Sequence, residues 1–473
     1  MRAMAFLAVL LGAGDLAGFQ SPAALLPIVL KRHFDPSDRM SGRYQYLPFD
    51  VPVGTTSLRI DYQYDRANGE NVVDLGLFEP GPLDLGTRAF RGYSGGSKSS
   101  VIVGGDDTTP GYRPGPLPSG RWHVLLGLYR VRDAGVDVTV TIGRHEGSSR
   151  PERRVRPEPG GQAPPSGLAW FKGALHAHTL HSDGTVEPAE LLRRFRDAQF
   201  DFVAITDHNN TTHAGDSALA KGGRPLWIVG EEVTTPGGHA NVWGLKAGDW
   251  VDFRVSPHDG RIGELVASAR RMGGLFSINH PASECLACGW EHEVVNGIES
   301  IEISNGRHGE VERALAIWDR LLMAGKKLTG VGSSDWHSDP NPIDVANVRV
   351  FAESLTEPAI LAAIRAGHVI VMGRGGDATP AVTVRSGQSQ ATGGDTLRLA
   401  SGSPISVEVE AADLRGGGKV IIVTNGKRSE ALPLDTSGRL RVSQQAEPGY
   451  IRIEIYRTDG SLFAATNPVY LTR

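Results

Sequence analysis

From residue 169 to 375, apolar runs of strand length alternate with segments of helical pattern, and this alternation restricts the stretch to an α/β fold built on a sheet. The runs include "GALHAH", "FVAITDH", "LWIVGEEVT", "ANVWGL", "GLFSINHP", "IESIEISNG", "KLTGVGSSDWH" and "NVRVFAE". Helical patterns fall near 187–199, 260–272, 309–323 and 357–366, with Gly325 and Gly367 placed as C-caps. A barrel and an open sheet both satisfy the pattern.

The flanks have a different texture. Over 42–145, short period-two runs such as "TSLRIDYQY", "NVVDLGLF" and "VDVTVTI" are separated by glycine and proline, which predicts an antiparallel β-sandwich. The stretch 146–168 is poor in apolar residues and rich in proline, glycine and arginine, the composition of a linker. Alternation returns over 376–473 in "PISVEVEAADL" and "YIRIEIYRTDG", predicting a small C-terminal β domain. A chain of 473 residues is long enough for these several cores.

Arg2 and the charge-free run Ala3–Gly14, closed by Asp15, have the form of an export signal over residues 1–20, which places the mature protein in the periplasm or outside the cell. The alternative is an N-terminal helix or anchor, since apolar character continues to Leu30; Asp15, Pro22 and Pro27 oppose a continuous span. No later stretch has the length of a membrane span. With 49 basic and 53 acidic residues, the net charge of -4 gives no electrostatic case for nucleic acid as the main partner. Cys285 and Cys288 are too few for a structural zinc site; they form a local disulfide, a redox-active pair or two small loop residues, the redox pair disfavoured without a thioredoxin-like context.

The polar residues of the central stretch gather at strand ends. Of the 15 histidines, 11 lie between His176 and His337. In "HAH" a period of two turns His176 and His178 to the same face, so one strand offers two imidazoles to one metal. Asp335 and His337 repeat that spacing, Asp183 stands on the loop after the first pair, and Gly184 lets the chain turn there. His208, His239 and His280 close other strands, and of Glu231 and Glu232 only one can face inward. His181 is out of phase with its neighbours, a candidate either to support the ligands from behind or to contact substrate. Arg307 and His308, after another strand, are candidates to clamp an anion or protonate a leaving group.

The fragments "HAH" with "SDG", "ITDH", "GEEV", "GGH", "NHP" and "SDWH", in that order, resemble the polymerase and histidinol phosphatase (PHP) superfamily of metal-dependent hydrolases. The resemblance covers 169–375 and implies a distorted seven-stranded (βα) barrel. It also implies nine ligands for two to three divalent ions, zinc, manganese or iron: His176, His178, Asp183, His208, Glu232, His239, His280, Asp335 and His337, with Glu232 bridging. The export signal and flanking β regions resemble the carbaryl-hydrolase-like branch.

The expected activity is hydrolysis of a small-molecule ester by a metal-bound hydroxide, with a phosphoester as first choice because it is the superfamily's commonest substrate. A carboxyl or carbamate ester is the alternative that the branch implies. The reading from another class is a non-catalytic protein, stabilised by metal, whose β domains contact envelope or glycan.

Overall fold

The computed structural model describes residues 27–146, 166–216, 219, 223–285, 287–306, 309–400, 404–415 and 417–473. The signal segment 1–20, nearly all of the linker and the pair Arg307 and His308 lie outside the described residues.

Two four-stranded antiparallel sheets form the N-terminal sandwich. One runs Ile28–Phe34, Val136–Arg144, Leu58–Tyr64, Ser100–Val103; the other runs Tyr44–Val51, Gly120–Arg130, Val72–Phe78, Phe90–Gly95. The sandwich thus starts before residue 42, because Ile28–Phe34 pairs along Val136–Arg144 as an edge strand. "IVLKRHF" is largely exposed and carries no buried alternation that would have marked it. In "WHVLLGLYR", Trp122, Val124, Leu126 and Leu128 enter the sandwich core, whereas Leu125 points the other way. With Phe78, Phe90 and Tyr93, Leu125 belongs to a core shared with Trp250, Val251 and Phe253 of the central region. The rings of Phe90 and Trp250 meet at 4.7 Å, as do those of Tyr93 and Phe253. A face buried against a second unit makes the sandwich a docked wall.

The central strands are β1 (Ser166–Ala174), β2 (Phe202–Ile205), β3 (Leu226–Thr235), β4 (Gly238–Trp243), β5 (Leu275–Ile278), β6 (Ile298–Ser304), β7 (Thr329–Gly332), β8 (Ala346–Ser354) and β9 (Val369–Gly373). Their spatial order is β7-β6-β5-β4-β3-β2-β1-β8-β9. Pairs β1–β2, β2–β3, β5–β6 and β6–β7 are parallel; β3–β4, β4–β5, β1–β8 and β8–β9 are antiparallel. Four helices follow the predicted positions: α1 (Pro188–Asp197), α2 (Ile262–Arg271), α3 (Glu310–Met323) and α4 (Glu357–Ala366). Each buries one stripe, as Leu191 and Phe195 do in α1. Gly367 caps α4 with a φ of 79°.

The expected repeating (βα) barrel is corrected on two points. The turn between β3 and β4 is a two-residue hairpin at Pro236 and Gly237, too short for a helix, so the strands there become antiparallel. The ladders also form an open path: β7 meets β1 only through an isolated bridge, Ala177 to Trp336, just past both strand ends.

The C-terminal β region is not a separate layer throughout. Leu462–Thr466 pairs with β9, and Gly449–Tyr456 and Lys419–Thr424 continue the same sheet. A second, four-stranded sheet holds Ala381–Ser386 and Ile405–Glu410. Arg452, fully buried, joins this region to α3 through Asp319 at 2.5 Å and is itself paired with Glu454 at 2.7 Å. Among the described residues no helix is long and apolar enough to cross a membrane.

Candidate metal centre

The bridge between Ala177 and Trp336 builds the site. Both residues turn into an outer apolar cluster with Leu191 and Phe195. Alternation therefore sends their neighbours, His176 and His178 on one side and Asp335 and His337 on the other, to the opposite face. The His178 amide donates to the Trp336 carbonyl (2.9 Å), and the Ser333 hydroxyl accepts from the His176 amide (3.0 Å). A second bridge, His208 to Glu232, does the same between β2 and β3. The backbone is left-handed at Asn209, His280 and Asp335, non-glycine residues whose φ values are 53°, 23° and 49°.

Glu232 lies at the centre. Its Oε1 is 3.2 Å from His176 Nε2, His239 Nδ1 and His280 Nε2; its Oε2 is 3.0 Å from His208 Nδ1 and 3.4 Å from His178 Nε2. Asp335 Oδ1 lies 3.2 Å from His176 Nε2 and 3.1 Å from His178 Nε2. Asp183 Oδ1 faces His337 Nε2 at 3.4 Å and His208 Nε2 at 3.6 Å. Three groups have the spacing to hold a metal: His178, Asp183, His208 and His337; His176, His178, Glu232 and Asp335; His208, Glu232 and His239. His280 stands outside these groups but within reach of Glu232.

The electrostatics of the cluster are those of buried opposite charges. Burial raises the carboxyl pKa of Glu232, yet His176, His208 and His239 hold it well below the usual range; Asp335 is held down in the same way by His176, His178 and His337. Burial, with His337 and His208 beside it, pushes His178 down to about 4. His176 goes well above the ordinary imidazole value, because Asp335, Glu232 and Glu302 outweigh its burial.

Several residues invisible as site members in the sequence hold this cluster. Glu302, on β6, accepts from His176 Nδ1 (3.3 Å) and from the His280 amide (2.9 Å). A carboxylate only accepts, so Glu302 draws a proton of His176 to Nδ1 and turns Nε2 toward Glu232 and Asp335 at the centre. Asn279 donates to Glu232 Oε1 (2.9 Å), and the Thr234 hydroxyl meets His208 Nδ1 at 2.5 Å. The signal for Glu302 was its place in "IESIEIS", where the period of two puts it on one face with Ser300 and Ser304.

Other expected residues fall elsewhere. His181 does not join the cluster: its Nδ1 meets the Thr212 hydroxyl (2.7 Å), its ring lies edge-on to His213, and burial pushes its pKa down to about 4. Glu231 faces away from Glu232, accepts from the Val251 amide (3.0 Å), and is held well above the usual carboxyl range by burial. Asp207 braces the loop after β1, accepting from the Thr179 amide (2.8 Å) and the Ser182 hydroxyl (2.8 Å). Gly184 is required for space: a Cβ there would sit 2.5 Å from the His178 carbonyl. Cys285 and Cys288 form a disulfide in the loop after His280.

No protein-family model matches the chain, and no curated protein matches it in sequence. Among solved structures, it is similar to a two-domain protein of Bacteroides vulgatus containing a predicted PHP-like metal-dependent phosphoesterase, at 17% identity and a TM-score of 0.37, over 68% of this chain and 100% of that one. It is also similar to a Bifidobacterium adolescentis protein provisionally named a metal-dependent phosphoesterase (16%, TM-score 0.26, 36% of this chain and 90% of that one). A third is an amidohydrolase of Chromobacterium violaceum with bound sulfate and no metal (16%, TM-score 0.24, 36% and 89%). At TM-scores below 0.5, none of these likenesses carries a fold or a reaction over to this chain.

Proposed function

We propose that this chain is a metal-dependent hydrolase of ester bonds, with an anionic phosphoester as its substrate, and that it is a divergent relative of the PHP superfamily. The observation that carries the reading is Glu232: one buried carboxylate with five imidazoles within 3.4 Å. The donor set fits divalent cations. His176 Nε2 is buried and has no hydrogen-bond partner, although two carboxylates flank it at 3.2 Å, which is the environment of a ligand nitrogen.

His176, His178, Asp183, His208, Glu232, His239, His280, Asp335 and His337 would hold two to three ions, with Glu232 shared between groups. Zinc, manganese and iron all suit mixed imidazole and carboxylate ligands. Ions bound there supply Lewis acidity, lowering the pKa of water and stabilising negative charge on a phosphoryl or carbonyl oxygen. The chain's own part is to orient: Glu302 fixes the His176 ring, Thr234 the His208 ring, and Asn279 one oxygen of Glu232. Substrate approaches beside Asp183, His337 and His208, whose side chains are 39%, 29% and 21% exposed, while those of His176 and His178 are fully buried. The apolar run after Arg2 favours export, so the working compartment is the periplasm or the exterior.

The test is elemental analysis of the purified chain with hydrolysis of aryl phosphomonoesters, phosphodiesters and carbamates before and after chelation. Bound metal and chelator-sensitive phosphoester turnover, lost in His178→Ala and Asp335→Ala, is the expected result. Turnover of carbamates alone would transfer the site to neutral esters. A chain that neither binds metal nor turns over any ester would sink the reading.

A further inference from the structure

One lysine of the sandwich lies against the loop that carries Asp183. Lys98, in the loop between Phe90–Gly95 and Ser100–Val103, donates its ammonium to the Ser182 carbonyl at 2.6 Å. Ser182 directly precedes Asp183, the most exposed side chain of the proposed ligand set. An ammonium has three donors and the carbonyl takes one. Among the described residues no carboxylate lies within ion-pair distance of Nζ; Asp207 and, less strongly, Asp183 act on its charge from farther away. Burial lowers its pKa, the mark of an ammonium stripped of part of its water.

Two other segments of the sandwich touch the central region near the cluster. A Cβ on Gly111 would sit 2.7 Å from the His181 carbonyl, so the sandwich backbone lies directly on the loop after β1. The Tyr129 hydroxyl donates to the carbonyl of Thr234 (2.9 Å), whose hydroxyl orients His208. A partly desolvated cation with spare donors is therefore held on the residue that precedes Asp183.

We propose that Lys98 is an anion-binding residue of this site: its two spare donors take a non-bridging oxygen of an anionic ester, so the sandwich selects phosphoesters over neutral esters. This rests on the hydrolase reading above. A lysine that only fastened the sandwich to the loop would affect stability and treat charged and neutral substrates alike.

The experiment uses the full, metal-loaded chain with inorganic phosphate as the probe, titrated calorimetrically into wild type, Lys98→Met and Lys98→Arg. Metal content and melting temperature are recorded for each, together with KM and kcat for an aryl phosphate and an uncharged aryl ester. Loss of a hydrogen bond to a charged group predicts phosphate binding about 10- to 100-fold weaker in Lys98→Met. It also predicts a KM for aryl phosphate that rises more than kcat falls, a reduced preference for the phosphate over the neutral ester, and recovery in Lys98→Arg. Equal phosphate binding by wild type and Lys98→Met overturns the proposal, as does absence of phosphate binding by the wild type. If wild type hydrolyses only neutral esters, the phosphoester reading fails while the calorimetry still decides Lys98. If Lys98→Met melts at a lower temperature, the decision passes to Lys98→Arg: wild-type melting without phosphate binding overturns the assignment.

Discussion

Glu302 shows how much a single carboxylate can determine beyond its own position. It orients His176 by one oxygen and holds the His280 amide by the other, so two proposed ligands depend on it. Glu302→Ala is expected to weaken metal binding about 10- to 100-fold, measured by chelator competition, with Glu302→Gln losing less. Asp74 gives a test within the sandwich. Burial in the sandwich raises its carboxyl pKa to about 6, with the Tyr93 hydroxyl as partner. The unfolded chain has the lower value, so the folded state binds the extra proton, and stability falls as pH rises from about 4 through about 6. At ~1.4 kcal/mol per pKa unit the loss is about 3 kcal/mol. Asp74→Asn should remove it, stabilising the protein relative to wild type at about pH 8 but not at about pH 4, as read by denaturant unfolding. The histidines and acids around Glu232 were legible in the sequence as candidates through period-two spacing and strand-end position, and the resemblance supplied the role now proposed for them. Glu302, Asn279 and Lys98 were not, since their roles arise from partners far along the chain.

At the scale of elements, the four central helices lie where periodicity put them, whereas β1 begins at Ser166, inside the stretch read as linker, and ends at Ala174, before His176 and His178. What periodicity does not report is direction. The hairpin at Pro236 and Gly237 makes β3 and β4 antiparallel, and only the shortness of the turn in "TTPGGH" hinted at it. Nor does it report sheet membership, so the pairing of Leu462–Thr466 onto β9 was not foreseeable from the alternating texture of the C-terminal region. Gly173 tests the packing of β1 on β2. It pairs with Phe202, whose ring lies where a side chain would stand: a Cβ would fall 1.9 Å from Cζ. Gly173→Ala should therefore destabilise the protein by about 1–3 kcal/mol, visible as a lowered denaturation midpoint.

Across the whole molecule, the outer units are parts of one packed body. The sandwich shares a core with Trp250 and Phe253, and the C-terminal strands share a sheet with β9 and an ion pair with α3. Deleting residues 378–473 would expose the β9 edge and the apolar faces of Val371 and Trp318. Such a chain is expected to aggregate, with loss of soluble yield and increased light scattering as the readout.

The bridge of Ala177 to Trp336 also has a kinetic meaning. It brings His178 to Asp335, 157 residues further along the chain, and closing so long a loop is slow and comes only after the intervening strands have found their order. On a growing chain the first histidines emerge long before the aspartate that will face them. Sequence separation thus predicts that the centre forms late in folding, and a chain interrupted before Asp335 lacks both the Asp335 and the His337 partners of its first histidines.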